Sequence, residues 1–102
     1  MGMLAAVCRF DLRIPGVRSL KEKRHIVKAL TGSLRARFNV SVAEVDHHDL
    51  WQRTAIGVAA VAPDGHQLRR IVQEVERHVG SFDGVEPIAA TVEYHAPEDG
   101  SP

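Results

Sequence analysis

The chain is short of the residues that most often announce a chemistry. It has one cysteine, Cys8, in 102 residues, so no intrachain disulfide can form and no Cys/His zinc spacing exists. A lone reduced thiol suits a reducing compartment. No apolar run approaches the roughly 20 residues that a bilayer-crossing helix needs. Met1 to Val7 carries none of the basic residues that open a secretory signal, and the first charge is Arg9. The expectation is a cytoplasmic protein without membrane contact. Gly-rich phosphate loops, nucleophile elbows and metalloprotease helices are missing, as are internal repeats, linkers and low-complexity stretches. Net charge is missing too: 13 basic residues balance 13 acidic ones.

That neutrality hides a strong asymmetry. Residues 1–40 hold nine Lys/Arg and two acids, a net of +7, and residues 41–102 hold four Lys/Arg and eleven acids, a net of −7. Such a division speaks to partners and says nothing of fold. Apolar residues at 44% and charged residues at 25% describe an ordinary globule. The length suits one domain, expected over residues 1–96, with a polar, Pro/Gly-rich tail at 97–102.

Period-two alternation over residues 3–14 predicts a strand with Leu4, Ala6, Cys8, Phe10 and Leu12 on one face; Cys8 is then a buried structural thiol. Pro15-Gly16 breaks it. Ser19-Leu20-Lys21-Glu22 is a capping box that starts a helix, with Leu20, Val27, Leu30, Leu34 and Phe38 on one face. Lys21, Arg24, Lys28 and Arg35 share the adjacent face, so the wet side is almost purely cationic. Residues 39–47 and 50–62 predict two strands of a hairpin turning near His47-His48-Asp49, with a bulge in the first where the apolar alternation slips. In the second strand Ile56, Val58, Ala60 and Ala62 form the heavier face. Asp64 caps a second helix along Leu68, Ile71, Val72, Val75 and Val79, which Gly80 ends. A last strand at 86–95 alternates Ile88, Ala90, Val92 and Tyr94.

The order βαββαβ predicts an α+β, ferredoxin-like fold: a four-stranded antiparallel sheet with two helices on one face. Alternating chain direction then brings the first strand–helix turn and the hairpin to the same end. Residues 15–24 and 44–53 become spatial neighbours.

Two constellations meet there. Arg18, Ser19, Lys21, Lys23, Arg24 and Lys28, with Arg13 just before them, crowd cations around a helix start. The dipole makes that costly for stability and useful for binding an anion or nucleic-acid phosphate. The bland alternative is a solvated basic face, or one neutralised by the protein's own acids. Opposite lie Glu44, Asp46, His47, Asp49, Trp51, Gln52 and Arg53, a predicted hairpin contact surface. Adjacent His47 and His48 diverge in a strand and no third ligand is set by spacing, so no metal or other cofactor is expected. Asp–His pairs could move protons, but neither nucleophile nor oxyanion donor accompanies Asp46, His47 and Asp49. The open sheet face lacks the aromatics on its central strands that stack bases in RNA-recognition motifs. Its small residues, Ala43, Ala55, Gly57, Ala59 and Ala89, suit packing against a second copy, hence a possible homodimer.

Leu12-Arg13-Ile14-Pro15-Gly16, Arg18 to Arg24, Phe38 to Asp46 and Asp49-Leu50-Trp51-Gln52-Arg53 together resemble the YlxP-like family, small bacterial domains of unknown function. The resemblance runs from about Leu4 to Val79. His48 stands where many members carry Gln, a further argument against a His-based metal site. It implies a ferredoxin-like fold. Because such genes often lie among those for translation initiation and ribosome maturation, it also implies a role near RNA or the ribosome. The expectation is therefore a non-enzymatic factor contacting RNA or a ribosomal subunit, with no DNA expected. The alternative is a homodimeric module that binds a small anion or another protein.

Overall fold

A computed structural model describes residues 2–97; residues 98–102 of the predicted tail lie outside the described residues. The first strand is β1 (Leu4–Arg13), and its alternation is strict. Ala6, Cys8, Phe10 and Leu12 are buried toward the helices, and the buried Ile14 and Val17 continue the apolar surface into the turn.

The helix α1 (Leu20–Arg37) starts where the capping box placed it. Ser19 Oγ accepts from the Glu22 amide at 3.1 Å. The returning bond differs from the expected one. The Glu22 carboxylate takes the Arg18 amide at 2.8 Å instead of the Ser19 amide. Val27, Leu30 and Leu34 are the buried apolar stripe.

The hairpin strands are shorter than their composition suggests: β2 is Ser41–Asp46 and β3 is Arg53–Ala62. His47 leaves the strand with a left-handed backbone, φ 62°, and the Leu50 amide donates back to the His47 carbonyl at 3.1 Å. The expected bulge is present, slightly later than the apolar pattern implied, between Glu44 and Asp46.

Asp64 caps α2 (Gly65–Ser81) through Gln67, and Leu68, Val72, Val75 and Val79 are buried. Gly80 does not stop the helix, which runs one residue further; the chain reverses at Gly84, whose φ of +96° a side chain would resist. The last strand, β4, is Glu86–His95.

The sheet order is β2-β3-β1-β4, all pairs antiparallel, which with the element order is the ferredoxin-like α+β fold. One apolar core lies between helices and sheet. The alternation of β4 does not translate into burial. Ala90, Val92 and Tyr94 align with the buried Phe10, Cys8 and Ala6 on the neighbouring strand, yet Tyr94 is 51% exposed, Ala90 is exposed and only Val92 is half-buried. Ile88, at the β1–β4 register shift, is exposed as well. The reason is that α2 packs chiefly on β1 and β3.

Candidate functional site: the helix start and the hairpin

The β1–α1 turn and the β2–β3 hairpin are laced together. Ile14 donates its amide to the Gln52 carbonyl at 2.9 Å, and the Gln52 side-chain amide reaches the Val17 and Pro15 carbonyls at 3.2 and 3.4 Å. Gln52 is thus a clamp between the two motifs.

Lys23 forms the deeper link, and it corrects the set of surface cations. It was grouped with the phosphate-binding side chains, but it is only 1% exposed. Its ammonium lies 3.0 Å from the Glu44 carboxylate, donates to the His47 carbonyl and approaches that of His48 at 3.4 Å. An ammonium has three donors and no acceptor, and three oxygens surround this one. Thr54, fully buried, donates to the same Glu44 oxygen at 2.6 Å. Lys23 is therefore out of reach of an external phosphate.

The bulge sends the two strand acids to opposite faces. Glu44 pairs across from Ile56, whose buried side is the helix side, whereas Asp46 pairs across from Ala55 on the open face. There Arg9 binds Asp11 through two bonds of 3.1 Å and Asp46 through one of 3.2 Å. The His47 amide donates to Asp46 at 2.7 Å, and the His47 ring stands 3.6 Å from Asp11. The Arg9 hydrogen bonds hold the Asp11 carboxyl below its ordinary pKa. For Asp46 the His47 amide is the larger cause and Arg9 the second. This roof explains why Ala55, assigned by alternation to the lighter open face, is fully buried. Arg53 belongs to the same side, and its Nε is buried with no acceptor among the described residues. The cluster escaped the sequence reading because only the bulge brings Asp46 over Asp11; the signal available was Arg9 and Asp11 two apart on one strand.

The remaining predicted residues are at the surface. Ser19 is used as the helix cap, and Glu22 sits at the helix start, so an acid of the chain itself occupies the place proposed for an anion on the amides. Arg18, Lys21, Arg24 and Lys28 are exposed and form no ion pair among the described residues. Arg13 lies a loose 3.9 Å from Glu86. Asp49 is exposed at the hairpin tip beside Leu50 and Trp51, the latter 51% exposed.

Residues 5–92 match the family described as protein of unknown function DUF503. The chain belongs to that family. It is 37% identical over 76 residues to the uncharacterized protein YlxP of Bacillus subtilis, a match covering 74% of this chain and 83% of that one. Among solved structures, the de novo designed protein Foldit4 superposes with a TM-score of 0.50 at 17% identity, covering 92% of this chain and 99% of that one. SnoaB, a cofactor-independent oxygenase from Streptomyces nogalater, gives 0.48 at 15% identity over 100% and 99%. The designed protein's likeness is one of fold. This DUF503 chain therefore takes its functional reading from its own surface.

Proposed function

We propose that this DUF503 protein is a cytoplasmic, non-enzymatic factor that contacts RNA or a ribosomal subunit through the flank of α1. One observation supports this above the others. Of the hairpin acids, Glu44 is taken by Lys23 and Asp46 by Arg9, which leaves only Asp49 without an ion pair among the described residues, while Arg18, Lys21, Arg24 and Lys28 are exposed and form none, and Leu50 and Trp51 are exposed in the hairpin. The binding surface is the side of the helix with Arg18 at its start; the helix-start amides, taken by Ser19 and Glu22, are not part of it.

Four phosphate contacts to a single strand give a slope of about −3 in log affinity against log salt. Titration of 30S subunits and of structured RNA at two salt concentrations tests the reading. Binding should weaken by roughly fiftyfold for a fourfold rise in salt, and K21E/R24E/K28E should abolish it. Absence of binding at low salt, or indifference to the triple change, refutes it.

A protein partner is the second reading, favoured by the exposed Leu50–Trp51 tip. A small-anion site is favoured less. A hollow of about 580 Å³ at this end, between the β1–α1 turn and residues 80–86, has Asp83 and Glu86 as its charged lining, and both repel an anion.

A further inference from the structure

The two sheet edges are built differently. The β2 edge is six residues long, bulged at Val45, and its Val42 carbonyl receives a 2.8 Å bond from Arg35. Short length, bulges and covering side chains are how proteins blunt an edge. The β4 edge is ten residues long. Its register shift and its proline both fall at the start, and from Ala89 to His95 it has neither Lys nor Pro. Its side chains are exposed apart from the half-buried Val92, with Tyr94 and Ala90 on the helix side and Ala89, Thr91 and the Glu93–His95 ion pair (3.3 Å) on the other. Among the described residues this leaves β4 with an open edge and largely exposed faces, a template for another strand.

We propose that β4 pairs antiparallel with β4 of a second copy, about a two-fold axis passing at Thr91. The partner is argued to be a second copy because the strand complements itself. In this register Thr91 meets the partner's Thr91, a favourable cross-strand pair, and Ala90 lies opposite the partner's Val92, a small apolar side chain against a larger one. Glu93 faces the partner's Ala89, which keeps the two glutamates apart. Glu86, at the start of the strand, comes near the partner's His95, at its end. Because α2 leans on β1 and β3, the helix side of β4 leaves room for a neighbouring strand. The axis stands perpendicular to the sheet, so the product is an eight-stranded sheet with all four helices on one side. The pairing stands independently of the RNA reading.

Sedimentation of the full chain over a wide concentration range tests it, with circular dichroism on each variant. The wild type should sediment at twice its 11.2 kDa. T91K, which sets two ammonium groups against each other at the axis, should sediment as a folded monomer. In T91C, facing Cα atoms about 4.5–5.5 Å apart lie within disulfide reach, so mild oxidation should give a covalent dimer. Q73C on the exposed side of α2 should not cross-link, and Cys8 is buried. Should T91K unfold, the conservative T91C decides the matter. A wild type that stays at 11.2 kDa, a dimer that survives T91K, or a dimer in which T91C does not cross-link overturns the proposal. So does a dimer broken only by V7K/V61K, which puts the contact on the open sheet face. A monomer whose β4 amides gain exchange protection only in cell extract has a foreign strand there, and also overturns it.

Discussion

Lys23 on α1 and Glu44 on β2, 21 positions apart in the chain, form an ion pair of 3.0 Å with the lysine fully enclosed. The pair fastens the first turns of the helix to the root of the hairpin. Its position explains why a cation was retained where the helix dipole disfavours one: the charge is answered across the junction by a carboxylate and by backbone carbonyls.

Breaking this pair from one side leaves a buried charge alone. K23M or E44L alone should therefore destabilise by about 3–5 kcal/mol, whereas K23M/E44L together should recover much of that loss. Urea denaturation of the two singles and the double measures it. Additive single losses would show that the groups do not act on each other.

The Arg9–Asp11–Asp46 cluster makes stability depend on pH in a definite direction. Both carboxyls are held below their ordinary pKa, Asp11 first by Arg9 and Asp46 first by the His47 amide. The unfolded chain therefore takes up protons before the folded one as acid is added. The contribution is complete above the unfolded value of about 4 and disappears as pH falls through the lower folded values. Carboxyl NMR titration should place the Asp11 midpoint below that of a free aspartate, and R9Q should move it upward. R9Q should also flatten the acid limb of the stability curve.

Gly57 lies on the open face between Arg9 and Ala43, and a Cβ added there would stand 2.9 Å from Cγ1 of the bulged Val45. Valine is stiff at χ1 and cannot easily turn aside. G57A should cost about 1–2 kcal/mol by overpacking, and V45A in the same chain should restore most of it. Thermal unfolding of the single and double variants checks this. Loss of equal size with and without V45A would place the clash elsewhere.

The sequence-level reading succeeded where a local rule acts alone. The Ser19 cap, the Asp64 cap and the buried stripes of both helices follow from side-chain chemistry within one turn of chain. The meeting of residues 15–24 with 44–53 followed from strand count and direction. Lys23 was misplaced because helical periodicity does not distinguish a cation facing water from one facing a carboxylate on another element. Its neighbours Lys21 and Arg24 look the same in sequence and are exposed. The exposure of β4 was not legible for a related reason: alternation says which residues share a face, while cover depends on where α2 comes to rest.

What the sequence by itself determined, then, was the set of elements, their order and the end of the sheet where charge collects. These depend on hydrogen bonds and apolar spacing within a few residues. Tertiary structure alone decided which charges remain available. The bulge at Val45 turns Glu44 toward Lys23 and Asp46 toward Arg9, and each carboxylate can neutralise only a cation within a few ångströms. The flank of α1 keeps its charge because no acid of the described residues reaches it.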